Sequence, residues 1–519
     1  MNSVGPIRVL SAGTQADPQK DAFAKYGIDS TIITPDNIFE VIEASLPTAN
    51  LLSPTTGAFD PTLLAPGANP PIDVIRALIV VPKVTASLPP PCPAPNAQFR
   101  CASLVVFHHG LNGGRAQMLL GANELAGKGF VVAAIDAPKH GDRASCSPDP
   151  LAPDPNAPLP QCATGTCQPI GPPGTQGDAF PPGQCKLASG AVGSLAKHPV
   201  FCVPSSPSCA TNATDGIPFA SGNFVVSGNL FRTRDTFRQD IIDNSNLILA
   251  LARPPALGAT AAANPVAAEL LAPTLTPPPG PPVGIVIDVD PSKPSKVFWE
   301  GQSLGGILGT INVAVNPRIS EAVLNVPGGT FVDIAATSPA FSDGLNRVLA
   351  ALPPPAGPIL PGTPQYLQFL QVAKWVLDPA EPINFAGHLL GGTDHPTLPN
   401  LLAGGAAQPG KKVLGQMAVC DNVVPNPFNL LLFNVAGLIP NQPNEFQIFK
   451  ATTAPEAPNK FCVLPSPFDT GAVAHGFLLD HGAAAGLAAN HRALSAAARL
   501  DAANFLDAPT TVQPPEEDR

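Results

Sequence analysis

The chain has 519 residues, of which 67 are proline, 44% are hydrophobic and only 13% are charged, so a wholly disordered chain is excluded and many ordered loops are expected. Its formal net charge of −10, with 28 thinly spread Lys and Arg residues, offers no basic cluster for a nucleic-acid partner. The longest apolar runs fall well short of the roughly 20 residues that cross a bilayer, so no transmembrane segment is predicted.

Short apolar runs bounded by turn residues alternate with helical patterns along most of the chain. The runs that predict strands lie at 77–81, 103–107, 130–135, 284–287, 296–299, 322–325, 413–419 and 446–449. The patterns that predict helices lie at 116–127, 232–251, 306–315 and 486–505. Fully apolar strands are buried on both faces, and their alternation with helices predicts an α/β fold with a doubly wound, mostly parallel sheet.

Three stretches interrupt this alternation and divide the chain into predicted parts. They are a cysteine-rich insertion at 144–222, a cap or lid insertion at 331–408, and an N-terminal extension at 1–70 with a modest helical signal near 37–44. The core is then predicted at 71–143, 223–330 and 409–510, followed by a flexible C-terminal tail at 511–519. An insertion such as 331–408, with an amphipathic segment at 364–377, is expected over the carboxyl edge of the sheet, where ligands bind.

Ten cysteines, six of them between Cys146 and Cys209, predict disulfides, because a Pro/Gly-rich tract cannot build a core of its own. Their pairing within the tract is not deducible, whereas proximity suggests Cys92 with Cys101 and Cys420 with Cys462. A zinc site at Cys162 and Cys167 is disfavoured, since no paired CxxC motif accompanies them.

Disulfides also predict a secreted or periplasmic protein. The first residues lack a basic stretch followed by an apolar one, so we expect that a signal peptide has been removed and infer export from the cysteines.

The pentapeptide Gly301-Gln302-Ser303-Leu304-Gly305 directly follows a predicted strand. A Gly-x-Ser-x-Gly sequence in that context predicts a nucleophile elbow, in which small flanking residues let the chain turn sharply from strand to helix with the serine at the tip. The alternative is an ordinary glycine-rich turn between a strand and a helix. Other residues must decide between the two.

A catalytic serine needs an imidazole to take its proton and a carboxylate to hold that imidazole in the right tautomer. With this kind of elbow the acid and the base follow the serine in the chain. Asp421 follows the predicted strand at 413–419, where such an acid belongs, although a short acidic side chain there can also cap a turn. Asp333 and Asp343, inside the predicted cap, are the fallbacks.

The predicted base is His475, which lies after the last predicted strand and before the final helix and is followed by Gly476. A lone histidine is more often structural than catalytic, but this position favours catalysis. His481 is a close rival, whereas His491 falls inside the helix pattern.

Two backbone N–H groups are needed to bind the oxyanion of the reaction. We predict Leu304, directly after the nucleophile, and Leu111, in the glycine-rich loop at 108–114. His109 precedes the nucleophile in the chain and is interpreted as a side chain that braces this loop.

The predicted cap also supplies candidate substrate-binding residues, namely Tyr366, Phe369, Trp375 and Val376. They could line an acyl groove, and they could equally pack onto the sheet, as a stripe at helical spacing often does. Calcium ligands at Asp288 and Asp290, or at Asp421 and Asn422, are too sparse to predict a site, so neither metal nor cofactor is expected.

Six segments together resemble the bacterial extracellular lipases of the virulence-factor type, a branch of the α/β-hydrolase superfamily. They are 107–111 leading to 131–136, 232–239, the elbow at 301–306, the cap stretch 373–384, 421–426 and 475–480. The resemblance spans about residues 75–505, and its narrowest parts are the cap stretch and 421–426. The chain departs from the pattern at Gln302, where these lipases usually carry histidine, and in the cysteine-rich insertion.

This resemblance implies an α/β-hydrolase fold and hydrolysis of acyl esters by Ser303, Asp421 and His475. We therefore expect a secreted serine carboxylic-ester hydrolase, an esterase or lipase that acts on small-molecule, lipid or polymer esters and touches a lipid interface at most transiently. Polyesters, phospholipids and amides are within reach of the same chemistry. The alternative from another class is a catalytically silent binding or adhesion protein with a hydrolase fold.

Overall fold

The computed structural model describes residues 8–11, 18–30, 32–92, 97–147, 161–170, 182–201, 215–226, 229–251, 265–271, 284–287, 296–352, 357–401, 404–439, 445–449, 475–479, 481 and 489–507. In chain order its strands are β1 (Arg8–Ser11), β2 (Ile38–Ala49), β3 (Ile72–Pro82), β4 (Arg100–Ala102), β5 (Leu104–His108), β6 (Val131–Ile135), β7 (Thr166–Pro169), β8 (Gly183–Lys186), β9 (Lys197–His198), β10 (Ile217–Pro218), β11 (Ile285–Ile287), β12 (Val297–Gln302), β13 (Ile319–Asn325), β14 (Pro399–Asn400), β15 (Ala406–Ala407), β16 (Lys412–Ala418) and β17 (Glu445–Phe449).

The α-helices are α1 (Pro18–Tyr26), α2 (Ala122–Gly127), α3 (Leu230–Leu251), α4 (Pro265–Leu271), α5 (Leu304–Val315), α6 (Phe331–Thr337), α7 (Ser342–Ala350), α8 (Pro364–Leu377), α9 (Ile383–Ala386), α10 (Asn426–Ala436) and α11 (Ala489–Asp507). Short 3-10 turns lie at Pro61–Leu64, Arg115–Leu120, Gly141–Arg143, Asp378–Ala380 and Phe477–Leu479.

The central sheet has nine strands in the order β1-β2-β3-β6-β5-β12-β13-β16-β17. The six strands from β6 to β17 in this order run parallel, whereas β2 pairs antiparallel with both β1 and β3, and β3 pairs antiparallel with β6. The predicted α/β fold with a mostly parallel sheet is therefore confirmed. All residues of β5 and β6 are buried, as expected for strands covered on both faces.

Helices cover both faces of the sheet, so the fold is doubly wound. One apolar cluster joins the sheet to side chains of α3, α5 and α10. The other joins it to side chains of α1, α2 and α11. The order of connections reverses between β5 and β12, and in open α/β sheets such a reversal opens a crevice at the carboxyl ends of the strands.

One local prediction was wrong, and another was right only in part. The helical signal near 37–44 belongs to β2, which pairs with β3 from Ile38 to Ala49, because its dense apolar residues suit a strand as soon as a partner strand is present. The predicted strand at 284–287 forms as β11, but it pairs with β4 in a separate two-stranded sheet outside the central one.

Three disulfides join described cysteines. Cys92 bonds to Cys101, as proximity predicted. Cys146 bonds to Cys167 and Cys162 to Cys185, and these two cross-links tie β7 and β8 to the start of the insertion. Cys420 is also disulfide-bonded, while Cys462, the partner predicted for it, lies outside the described residues, as do Cys202 and Cys209.

The amphipathic segment at 364–377 forms α8 over the predicted residues. Pro364 stands in its first turn, where the missing N–H costs nothing, and the Thr363 hydroxyl accepts a hydrogen bond from Tyr366 N at 3.2 Å. Among the described residues, no helix combines the length and the apolar character that crossing a bilayer requires.

Candidate active site

Ser303 lies at a sharp turn between the last residue of β12 and the first residue of α5. Its backbone is held at φ 58° and ψ −116°, a conformation that residues other than glycine rarely adopt. A Cβ on Gly301 would lie 2.0 Å from the carbonyl oxygen of Gly305, and one on Gly305 would lie 2.1 Å from that of His108. Both positions therefore require glycine, because a side chain there would clash with backbone atoms. The turn has the geometry of a nucleophile elbow.

A continuous chain of hydrogen bonds links the three residues predicted as a catalytic triad. His475 Nε2 lies 2.6 Å from Ser303 Oγ, and His475 Nδ1 lies 2.6 Å from Asp421 Oδ2. Because an ionised carboxylate only accepts, Nδ1 carries the ring proton and Nε2 is left to accept the hydroxyl proton. The Ser303 residue is 7% exposed and the Asp421 residue 3% exposed, so the group is almost enclosed.

Asp421 both closes a turn and lies within hydrogen-bond distance of the histidine. Its Oδ1 accepts hydrogen bonds from Val423 N at 2.8 Å and Val424 N at 3.0 Å, which fixes the carboxylate just beyond β16. Its other oxygen is the one that faces His475. The rival His481 instead places its Nε2 against the carbonyl oxygen of Leu120 and does not join the hydrogen bonds between Ser303, His475 and Asp421.

The fallback acids stay in the cap. Asp333 lies in the first turn of α6, where its carboxylate pairs with the Lys374 ammonium at 2.7 Å. Asp343 lies in the first turn of α7. The carboxylate that meets His475 is that of Asp421, and its role as the catalytic acid stays a prediction.

The glycine-rich loop after β5 lies directly beside the elbow. A Cβ on Gly110 would come within 3.2 Å of Ser303 Cβ and 2.4 Å of Gln302 Oε1. Leu111 packs in the same apolar cluster as Leu304. Leu304 is the first residue of α5, so no carbonyl within the helix accepts its N–H. Leu304 therefore adjoins Ser303 in the chain, and Leu111 follows the glycine that lies against Ser303. Their role in binding an oxyanion stays a prediction.

A buried ion pair beneath this loop was missed by sequence reasoning. His108 Nε2 lies 3.1 Å from both carboxylate oxygens of Asp240, and each residue is 1% exposed. Burial alone would lower the pKa of His108, but the Asp240 charge and the hydrogen bonds to Asp240 and to the His109 carbonyl raise it. Asp235, Asp240 and Asp243 are all buried on one helix, α3, and no local sequence signal pairs Asp240 with His108.

The candidate substrate-binding residues divide between two faces of α8. Phe369 and Val376 pack in the apolar cluster that contains Leu304. Tyr366 is 8% exposed, whereas Trp375 is 79% exposed and lies on the outer face with Leu367. The structure thus brings Phe369 and Val376 toward the elbow and leaves Trp375 in solvent.

One group of cysteines among the described residues bears on the zinc site weighed from the sequence. The sulfurs of Cys146, Cys162 and Cys185 lie within 4.8 Å of one another because two disulfides are adjacent, and sulfurs bonded in this way are not the thiolates that bind zinc. Asp288 and Asp290 lie outside the described residues.

Comparisons with known proteins gave matches among solved structures, all of them of low similarity. No family model matches the chain, and no curated protein matches it. Among solved structures, it is similar to an acylaminoacyl peptidase from Pyrococcus horikoshii, with TM-score 0.33, 10% identity and coverage of 86% of this chain and 41% of that chain. The chain therefore spans less than half the length of that peptidase.

Two further solved structures match along most of their own length. An acetyl xylan esterase from Paenibacillus sp. R4 has TM-score 0.34, 12% identity and coverage of 84% of this chain and 88% of that chain. A putative dienelactone hydrolase from Klebsiella pneumoniae has TM-score 0.34, 10% identity and coverage of 89% of this chain and 98% of that chain.

The fold is identified by the strand order and strand directions of the central sheet. From β2 onward, β3 is the one described strand of this sheet that runs opposite to the others. β6 lies between β3 and β5, and the elbow follows β12 at the point where the order reverses. With this order and this elbow, the chain has the α/β-hydrolase fold.

Proposed function

We propose that this protein is a serine carboxylic-ester hydrolase in which Ser303 is the nucleophile, His475 the general base and Asp421 the acid that orients the base. The observation that carries the proposal is the unbroken hydrogen-bond chain, with 2.6 Å between Ser303 Oγ and His475 Nε2 and 2.6 Å between His475 Nδ1 and Asp421 Oδ2. The three residues also follow one another in the order that this fold requires.

The proposed reaction proceeds through an acyl-enzyme. Ser303 Oγ bonds to the ester carbon while its proton passes to His475 Nε2, and the carbonyl electron pair moves onto the oxygen. The N–H groups of Leu304 and Leu111 donate to this oxyanion. When the carbonyl re-forms, the alcohol leaves and takes the proton from His475. Water then attacks the acyl carbon while its proton passes to His475. The bond from the acyl carbon to Ser303 Oγ breaks as His475 returns this proton to Oγ, and the carboxylic acid is released.

Esters with an apolar acyl group are the proposed substrate class. Phe369 and Val376 from α8 belong to the apolar cluster that includes Leu304, the neighbour of the nucleophile. An acyl chain entering beside Ser303 would meet this cluster, which supports lipid or polymer esters as substrates. The disulfides support action outside the cytoplasm, where thiols are not kept reduced.

The test measures hydrolysis of a p-nitrophenyl ester series and labelling by a fluorophosphonate probe. We expect the wild type and the control Ser189→Ala, whose side chain is exposed in the insertion, to be labelled and active, and Ser303→Ala to be neither. Labelled Ser303→Ala contradicts the proposal. An unlabelled and inactive wild type favours the catalytically silent binding protein.

The substrate class is tested separately. Wild-type rates are compared on emulsified triglyceride, suspended polyester film and a p-nitroanilide of matched acyl length. Faster cleavage of the anilide than of the ester would identify an amidase and overturn the ester proposal. Activity on the film would add polymers to the substrates.

A further inference from the structure

Two consecutive histidines hold the two peptide groups that approach the elbow. His108 Nδ1 lies 2.8 Å from the carbonyl oxygen of His109, and His109 Nδ1 lies 2.8 Å from the carbonyl oxygen of Gly110. A carbonyl oxygen can only accept, so in each contact the imidazole nitrogen carries the proton and donates. Each ring therefore fixes the carbonyl of the residue that follows it.

The hydrogen bond at Nε2 of His109 fixes the protonation state of the ring. Ala137 N donates to His109 Nε2 at 3.1 Å, and a backbone N–H can only donate, so Nε2 has no proton. The ring is then neutral, with its single hydrogen on Nδ1 and pointing at Gly110. Burial, helped by the neighbouring His140 and His108, lowers the pKa of His109 to about 3, which keeps the ring neutral near pH 7. His109 is 0% exposed, so water does not compete for either nitrogen.

A held carbonyl also sets the direction of the N–H in the same peptide group. In a trans peptide the two bonds point to opposite sides of the chain. The carbonyl of Gly110 shares its peptide group with the N–H of Leu111, so a donor on the carbonyl turns that N–H away from His109. It also polarises the amide and makes the N–H a stronger donor. Gly110 itself lies against Ser303, because a Cβ placed on this glycine would come within 3.2 Å of Ser303 Cβ.

We propose that His109 is a positioning residue for the oxyanion hole, since its Nδ1–H, together with Gly113 N at 3.1 Å, holds the Gly110 carbonyl and so orients the Gly110–Leu111 peptide group. The inference rests on the proposed function and explains how one oxyanion donor, the N–H of Leu111, is oriented. His108, fixed by Asp240, holds the preceding peptide group in the same manner. The ring of His109 thereby ties the loop after β5 to the end of β6.

Two substitutions at this position separate its two hydrogen bonds. The amide of asparagine reaches the place of Nδ1, so His109→Asn keeps a donor for the Gly110 carbonyl and loses the acceptor for Ala137 N. The amide of glutamine reaches the place of Nε2, so His109→Gln does the reverse. His198 is the matched control, because its Nδ1 lies 2.8 Å from the carbonyl of the following Pro199, far along the chain in the insertion.

The experiment measures kcat and KM on a soluble p-nitrophenyl ester and the Ki of a trifluoromethyl ketone for these variants. We expect His109→Gln to lose about 100-fold in kcat with KM nearly unchanged, since loss of one oxyanion donor costs about that much, and to bind the ketone correspondingly less tightly. His109→Asn should stay within about tenfold of the wild type, and His198→Gln should match it. Equal losses in both His109 variants, or a loss in KM alone, would overturn the proposal.

A second measurement on the unmodified protein does not depend on the folding of any variant. The 15N chemical shifts of the ring nitrogens report which one is protonated, and we expect the Nδ1–H form at His109. The Nε2–H form would overturn the proposal. A wild type that is not labelled at Ser303 would instead refute the proposed function, so the two failures are distinguishable.

Discussion

Asp421 and His475 are joined by a 2.6 Å hydrogen bond that uses only one of the two carboxylate oxygens. The other oxygen is engaged by the backbone N–H groups of Val423 and Val424. The turn beyond β16 and the orientation of the imidazole are therefore set by separate atoms of one side chain. This separation allows the two contributions to be tested apart.

Asp421→Asn should abolish most activity while leaving the fold intact. The amide oxygen can still accept from Val423 N and Val424 N, but the amide nitrogen then donates toward His475 and stabilises the wrong tautomer. We expect kcat to fall by about 10³–10⁴-fold, as it does when such a carboxylate is replaced by its amide. The rate is measured on p-nitrophenyl butyrate and the melting temperature in parallel. More than a tenth of wild-type kcat would contradict the assignment of Asp421.

Gly305→Ala should damage the elbow, because the new Cβ would lie 2.1 Å from the backbone oxygen of His108 and backbone cannot give way cheaply. We expect a loss of about 1–3 kcal/mol in the free energy of unfolding, together with a large loss of kcat. The control is Gly344→Ala in α7, where a Cβ meets no atom within 4 Å and should stabilise the helix by about 0.5–1 kcal/mol. Denaturant unfolding measures the free energy of unfolding of both variants. Equal changes in Gly305→Ala and Gly344→Ala would refute the predicted clash at Gly305.

Glu300→Gln should change the pH dependence of stability. Burial, with a smaller effect of Glu124, raises the pKa of the Glu300 carboxyl in β12 from 4.5 to about 8. The folded protein thus holds a proton that the unfolded chain releases, so stability from this group is complete below about pH 4.5 and is lost as pH rises through about 8. The melting temperature of Glu300→Gln, relative to that of the wild type, should therefore rise between pH 5 and pH 9. A constant difference would show that Glu300 does not titrate in this range.

Trp375→Ala tests contact with an ester surface. The side chain is 79% exposed on the outer face of α8, so its removal should change the free energy of unfolding by no more than about 0.5 kcal/mol. We expect the ratio of activity on emulsified triglyceride to activity on a soluble ester to fall several-fold. Leu64→Ala, which removes a half-exposed apolar side chain far from the cap in the chain, is the control. If both variants keep the wild-type ratio, Trp375 does not meet the substrate surface.

Much of this arrangement could be predicted from the sequence, because the chemistry of the elbow is local. Ser303 needs glycines on both sides, and the residues that follow the later strands are few, so Asp421 and His475 could be selected by order alone. The chosen side chains are indeed joined by hydrogen bonds.

Other features depend on partners that are distant in the chain. Whether 38–49 is a helix or a strand was decided by β3, and the cysteine pairs within the insertion had many equivalent alternatives. Asp240 lies 132 residues from the His108 ring that it holds, so no local pattern pairs them. The outward direction of Trp375 depends on how α8 rotates about its own axis, which the periodicity of its apolar residues left open.

The 172 residues that separate Ser303 from His475 have a consequence for the timing of synthesis. A ribosome completes the elbow and the loop after β5 well before it makes the segment that carries the imidazole. Until that segment is translated and packed against Asp421, the Ser303 hydroxyl has no base and remains an ordinary alcohol. Under the proposed function, a partly made chain is therefore harmless to the lipids of the cell that produces it, and activity itself reports that the last part of the chain has folded.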